Sequence, residues 1–250
     1  MSVETKTNRK VGSAELVVSD RDGVAAFYER VVGLTRDGEE FTDPSSGAPI
    51  LTLIHDPAAR RPATPVAGLF HLAFLYPDQA SLAAAIRRSF DNGMRAHGFQ
   101  DHGVSEAFYL SDPEGNGIEL YVDRPESEWP RAGTELAMIS DPIPLQQWMD
   151  SATKDVTDSS VRLGHVHLRA ADLISSTQFY KNLGMDVTQS TYPGARFLAF
   201  DGYHHHVAVN TWSGEGLPTR QPNETGLVGF TFEGSEADAV DPNGIRISQR

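Results

Sequence analysis

One segment of this chain occurs twice, and that repetition limits the fold more than any other feature. Residues 12–34, GSAELVVSDRDGVAAFYERVVGL, match residues 164–185, GHVHLRAADLISSTQFYKNLGM. Gly12/Gly164, Leu16/Leu168, Asp20/Asp172, Phe27/Phe179 and Tyr28/Tyr180 share an offset of 152, and a one-residue gap then brings Gly33 onto Gly184. A second pair sets GLFHLAF (Gly68–Phe74) against GLVGFTF (Gly226–Phe232), followed by DPEGNGIEL at 112–120 and DPNGIRI at 241–247. Four modules therefore begin near residues 11, 67, 163 and 226.

Each module follows the same local logic. Alternating apolar stretches such as Ala14–Val18 and Val166–Ala170 predict half-buried strands. Asp20 and Asp172 stand where a helix N-cap is needed, and the helix after Asp20 carries Val24, Phe27, Tyr28 and Val31 on one face. Gly33, Gly93 and Gly184 fall where helices end, and Asp-Pro and Gly-Asn-Gly turns join the later strands. The pattern is β-α-β-β-β, an α+β arrangement. Segment 123–160 is rich in Pro, Asp, Ser and Trp and lacks clean periodicity. The expected division is residues 8–125 (modules 1 and 2), a linker at 126–160 with a short helix around Pro144–Asp150, and residues 161–250 (modules 3 and 4).

Composition narrows the chemistry. The 250 residues carry a formal charge of −13, which repels nucleic-acid backbones and anionic membranes. No apolar run approaches a membrane span of about 20 residues, and the polar N-terminus lacks the apolar stretch of a signal peptide. A cytoplasmic protein is expected. There is no cysteine, so thiolate metal sites and thiol nucleophiles are excluded and any metal must be held by His and carboxylate.

The four modules, with Gly68–Phe74, Ser105–Tyr121 (SEAFYLSDPEGNGIELY), Leu163–Leu168 (LGHVHL) and Gly202–Trp212 (GYHHHVAVNTW), resemble the vicinal oxygen chelate superfamily. Within it they are most similar to the catechol 2,3-dioxygenase-like branch of type I extradiol ring-cleaving enzymes. The resemblance implies four βαβββ modules, the fourth truncated, forming two half-barrel domains of the glyoxalase/extradiol dioxygenase type. It also implies an enzyme that opens a catechol-type aromatic diol with O2 and Fe(II), with Mn(II) as the alternative ion, and a homo-oligomeric assembly.

A non-haem Fe(II) oxygenase needs two His and one carboxylate on one face of the ion. Nine His are available: 55, 71, 97, 102, 165, 167, 204, 205 and 206. His71 and His165 lie on first strands of separate modules. Glu119 sits between Ile118 and Leu120 on a last strand, where a buried carboxylate needs either a metal or an Arg or Lys partner. With the resemblance, His71, His165 and Glu119 are the expected metal ligands. Modules 1 and 2 together supply one first-strand His, and modules 3 and 4 place Gly229 and Arg246 at the matching positions. Modules 2 and 3 hold all three ligands, which implies one functional barrel from the central modules and a metal-free half from modules 1 and 4.

The resemblance gives His206 the acid/base role and Tyr109, ten positions before Glu119, a hydrogen bond to the substrate oxygen. Strand alternation then puts His204 on the face of His206 and His205 on the other. His204 and His102 are expected to line the substrate pocket, although His102 also reads as a loop residue and Tyr109 as a core tyrosine. His167 points with His165 and reads as supporting the ligands; His55 and His97 read as surface residues. Two other functions compete. A glyoxalase-like isomerase or thiol transferase would carry a second Glu at position 206, and a metal-free binding protein of the antibiotic-resistance type would have no use for the His71–Glu119–His165 set. Phe74 and Asp112 are 38 positions apart but Phe232 and Asp241 only 9, so module 4 lacks about 29 residues, roughly a helix and two strands. An uncovered face on module 1, or cover from another subunit, is expected in consequence.

Overall fold

The computed structural model describes residues 9–152, 156, 158–234 and 238–249. Module 1 forms β1 (Lys10–Val18), α1 (Arg21–Phe27), β2 (Thr35–Asp37), β3 (Glu40–Thr42) and β4 (Pro49–His55). Module 2 forms β5 (Gly68–Tyr76), α2 (Gln79–Asp91), β6 (Gly98–Asp101), β7 (Ser105–Ser111) and β8 (Gly117–Asp123). The intervening segment contributes the two-residue strands β9 (Arg131–Ala132), β10 (Glu135–Leu136) and β11 (Asp141–Pro142), and α3 (Leu145–Ser151). Module 3 forms β12 (Arg162–Arg169), α4 (Leu173–Asn182), β13 (Asp186–Gln189), β14 (Ala195–Ala199) and β15 (Val207–Asn210). Module 4 keeps only β16 (Gly226–Glu233), β17 (Ala239–Val240) and β18 (Arg246–Gln249).

Local chemistry sets the helix ends. The carboxylates of Asp20, Asp78 and Asp172 accept hydrogen bonds from the backbone N–H of Gly23, Ser81 and Ser175, satisfying donors that a helix start leaves open. Gly33 and Gly184 close their helices at φ of +92° and +91°, a region costly for any residue with a Cβ. The one-residue gap between the repeats is absorbed between Tyr28 and Val32, which form a π-helical turn in module 1.

Two mixed sheets result, with strand orders β17-β18-β16-β1-β4-β3-β2 and β11-β6-β7-β8-β5-β12-β15-β14-β13. The first joins modules 1 and 4 through the antiparallel pair β1/β16, and the second joins modules 2 and 3 through β5/β12. Each sheet therefore draws strands from both sides of the 126–160 segment. The main apolar core contains residues of both sheets, including Leu16, Phe41, Phe74, Leu120, Val166, Phe230 and Phe232. Burying each large apolar side chain contributes about 1.5–3 kcal/mol. The repeat also recurs as a tie between modules: Tyr28 donates to Asp112 (3.4 Å), and Tyr180 donates to Asp241 (3.1 Å).

The 126–160 segment is more than a connection. Its helix α3 begins directly after Pro144, and Trp148 donates its indole N–H to Glu106 at 2.9 Å, which fastens the segment to the second sheet. In the first sheet Arg246, at the repeat position of Glu119, pairs with Glu15, at the repeat position of His167. Among the described residues no helix is long and apolar enough to cross a membrane.

Candidate metal centre and substrate cavity

Strand register assembles the site. Tyr109 of β7 stands opposite Glu119 of β8, Glu119 beside Ala73 of β5, and Ala73 opposite His165 of β12. These four residues cross the sheet in one row, and His71 lies in the next row on the same face, opposite His167. Ala73 is the small member of the row and leaves room between the larger ones.

Two irregularities aim the side chains. The β5/β12 register slips between Leu163 and His165 and again between His167 and Leu168, so Gly164 and Phe70 each lack a cross-strand partner. Such bulges reset the alternation of faces. Leu163 points into the core while His165 joins the site, and Phe70 and His71, neighbours in sequence, both face the same cavity. The β1/β16 pair slips at the matching repeat positions. Gly117 is obligatory at the β8/β5 crossing: a Cβ there would lie 2.2 Å from the carbonyl oxygen of Phe70, a backbone atom with nowhere to move.

His71 Nε2, His165 Nε2 and Glu119 Oε2 converge. The two imidazole nitrogens are 2.9 and 3.1 Å from the carboxylate oxygen and 3.3 Å from each other. All three residues are buried, with Glu119 only 2% exposed. Burial drives the His165 pKa down to about 4 despite the adjacent carboxylate, so its ring is neutral near pH 7. Burial also acts to raise Glu119, but the two imidazoles beside it prevail and its carboxyl stays well below the usual range. Three electron-pair donors this close repel one another unless a cation or proton lies among them. At metal–donor lengths of about 2.1 Å and right angles, adjacent donors stand about 3.0 Å apart, so the observed spacings fit one face of an octahedral ion. The donor set, two imidazoles and one carboxylate, suits a divalent first-row metal.

A cavity of about 250 Å³ opens over this centre. Phe70, Tyr192, Phe197 and Trp212 supply aromatic walls, and Met138, Ile139 and Ser140 close one side. Polar groups enter at three points. His102 Nδ1 lies 2.7 Å from the carbonyl oxygen of Ile139, so it carries the proton, and His102 Nε2 accepts the Tyr109 hydroxyl at 2.7 Å. Burial, with the charge of Glu119 nearby, raises the Tyr109 pKa well above its ordinary value and keeps the phenol protonated. The second entry is His167: Asn210, behind it, accepts from the Trp212 backbone N–H, which turns its amide nitrogen toward His167 Nε2 at 2.9 Å. The third entry is His205, whose ring packs against His165 with centroids 4.1 Å apart.

The structure brings together five of the residues singled out in the sequence, His71, Glu119, His165, Tyr109 and His102, with His167 beside them. It places two others elsewhere. His206, the expected acid/base, lies outside the cavity: its Nδ1 accepts the Phe200 N–H at 3.2 Å and its ring packs on Tyr203. Burial lowers its pKa to about 3. His204, expected to touch substrate, is fully buried between Asp123 and His205. The cause is local. Residues 204–206 form a bend, and β15 begins only at Val207, so strand alternation does not apply to them. His205 takes the cavity position instead. Phe70 and Phe197 come from β5 and β14, whereas Tyr192, Trp212 and the 138–140 wall come from loops and from the segment between modules, and none was singled out as a wall residue in the sequence. His55 and His97 are exposed, as expected.

Residues 10–120 match the family model described as the Glyoxalase/Bleomycin resistance protein/Dioxygenase superfamily. The chain is 34% identical over 233 residues to the catechol-2,3-dioxygenase of Bacillus subtilis (strain 168), covering 88% of this chain and 81% of that protein. The chain belongs to the glyoxalase/bleomycin resistance protein/dioxygenase superfamily. A shorter match, 34% over 108 residues, joins it to biphenyl-2,3-diol 1,2-dioxygenase 3 of Rhodococcus globerulus, covering 40% of this chain and 51% of that protein. Among solved structures, a dioxygenase from Bacillus subtilis subsp. subtilis str. 168 superposes with a TM-score of 0.62 at 13% identity, covering 96% of this chain and 84% of that one. Glyoxalase I from Zea mays gives 0.57 at 15%, covering 97% and 92%. The superfamily fold is thus an α+β arrangement here, with the His–Glu–His centre on the sheet that modules 2 and 3 build.

Proposed function

We propose that this superfamily member is an extradiol dioxygenase that opens a catechol-type aromatic diol next to its two hydroxyls, using O2 and Fe(II), or Mn(II) in its place. The observation that carries the reading is the set of two imidazoles and one carboxylate under an aromatic-walled cavity, with His205 beside it and no second carboxylate lining that cavity among the described residues. A glyoxalase-type set would require that second carboxylate. The named activities of the relatives support the same reading.

His71, Glu119 and His165 would hold the ion. When bound, it supplies the positive charge and redox chemistry that make a diol reactive toward O2. The chain's own residues do the rest. Phe70, Phe197, Tyr192 and Trp212 flank a flat ring by stacked or edge-on contacts. Tyr109, its proton committed to His102, offers its oxygen lone pairs to a diol hydroxyl. His205, kept neutral by burial and by neighbouring imidazoles, is a base able to take a diol proton. A cavity of about 250 Å³ lies below the usual range of ligand pockets, roughly 300–1,000 Å³, and favours a single ring.

The test is oxygen uptake. Protein purified without air and loaded with Fe(II) should consume O2 on addition of catechol and yield a ring-opened product. Glu119→Gln and His71→Ala should lose stoichiometric iron and activity while keeping normal circular dichroism; exposed His55→Ala should lose neither. Wild-type protein that binds iron without consuming O2 on any single-ring diol would overturn the proposal.

A further inference from the structure

A line of three hydrogen-bonding groups runs from the cavity to Asp123 at the end of β8, on the face of the sheet that carries Glu119. His205 Nδ1 lies 2.7 Å from His204 Nδ1, and His204 Nε2 lies 2.9 Å from Asp123 Oδ1. Both imidazoles are buried, whereas the Asp123 side chain is 25% exposed. The direction of each bond follows from the end of the line. An ionised carboxylate only accepts, so His204 carries its proton on Nε2 and presents a lone pair at Nδ1. That lone pair requires a proton on His205 Nδ1. The one remaining nitrogen, His205 Nε2, is then left with a lone pair, and no described residue occupies it.

Asp123 itself is held in place. Tyr203 donates its hydroxyl to both carboxylate oxygens, at 3.1 and 3.0 Å, and Tyr121 donates in turn to Tyr203 at 2.9 Å. The Trp129 ring packs edge-on against His204 with centroids 5.3 Å apart.

We propose that Asp123 and His204 are positioning residues that fix the tautomer of His205, so that a basic nitrogen rather than an N–H faces the cavity. The inference rests on the reading of His205 as the base of a diol-opening site, and it assigns roles to two residues that touch no substrate. Asp123→Asn tests it sharply. Its single oxygen is claimed by Tyr203, which turns the amide N–H2 toward His204. Every bond in the line then reverses, and His205 presents an N–H to the cavity.

The full chain, labelled with 15N-histidine and loaded with diamagnetic Zn(II), reports each tautomer by long-range 1H–15N correlation. The expected wild-type result is the Nε2–H form of His204 and the Nδ1–H form of His205, with reversal in Asp123→Asn. With Fe(II) and catechol, Asp123→Asn should lower kcat roughly 10–100-fold, the usual effect of losing a carboxylate that orients a site histidine. KM and iron content should stay within about twofold, and Asp123→Glu should recover most of the rate. Finding His205 in the Nε2–H form in the wild type, or an unchanged kcat in Asp123→Asn, would overturn the inference. Because the tautomers are read without turnover, a wild type with these tautomers but no ring opening would overturn the proposed function and leave the positioning of His205 standing.

Discussion

Two neighbouring imidazoles, His205 and His206, differ in environment enough to separate their roles. His205 lines the cavity against His165, while His206 is held under Phe200 and Tyr203 on the other side. Loss of a positioned base costs about 10²–10⁴ in rate without removing the metal. His205→Phe should therefore keep iron and lower kcat by at least ~100-fold. His206→Phe should change kcat little and show its effect in thermal stability. Steady-state kinetics with iron analysis on both variants separate the two, and a rate loss confined to His206→Phe would return the catalytic role to that residue. In the His71, Glu119 and His165 set, Glu119 was legible because a carboxylate between Ile118 and Leu120 departs from what a plain strand would carry, and the two histidines were picked out with the family resemblance. The choice between His205 and His206 was not, because it depends on a bend that shifts the start of β15 to Val207.

Strands and turns carry the next level of control. Gly117 lets β8 approach β5 closely enough to bring Glu119 beside His71, and a Cβ there collides with the Phe70 carbonyl. Gly117→Ala should destabilise the protein by about 1–3 kcal/mol, the usual cost of overpacking, and weaken metal binding, as measured by urea unfolding and metal titration. At the turn before β8, burial pushes Asp112 up to about 6 from an ordinary 3.8, against the lowering effect of hydrogen bonds from Asn116 and Glu114. The folded protein then keeps a proton that the unfolded chain has already released between about pH 4 and 6. Stability from this group is present below pH 4 and falls as pH rises through 6, by on the order of 3 kcal/mol in total. Asp112→Asn should flatten that part of the stability profile; an unchanged slope would rule Asp112 out as its source. Helix caps and closing glycines were readable from residue type alone, since they answer local needs for a hydrogen bond or a positive φ. The bulges at Gly164 and Phe70 were not, because they exist only between two strands whose pairing must be known first.

Across the whole molecule the proposed metal centre would double as a fastening. The three residues proposed to hold it come from β5, β8 and β12, on both sides of the 126–160 segment, so an ion that binds only the folded chain would stabilise the joint between modules 2 and 3. At a free metal concentration of 100 Kd that gain is about 2.7 kcal/mol. For a chain of this size it corresponds to roughly 5–10 °C in Tm. Chelation should lower Tm by that amount in the wild type and by nothing in Glu119→Gln, as read by differential scanning calorimetry. The shortened module 4 still adds β16, β17 and β18 to the first sheet, where Arg246, at the repeat position of Glu119, pairs with Glu15. The order of residues dictates the four modules, their caps and turns and the incomplete fourth module, and with the family resemblance it marks His71, Glu119 and His165 as the expected ligands. Repetition, periodicity and a carboxylate on an apolar strand are local marks that need no knowledge of neighbours, whereas the choice of His71 and His165 drew on the resemblance. Folding decides which histidine of the 204–206 run faces the cavity, which aromatic rings wall it and how Asp123 reaches His205 through His204. Those relations depend on register across strands distant in sequence and on the packing of a segment, 126–160, whose own residues carry no periodic signal.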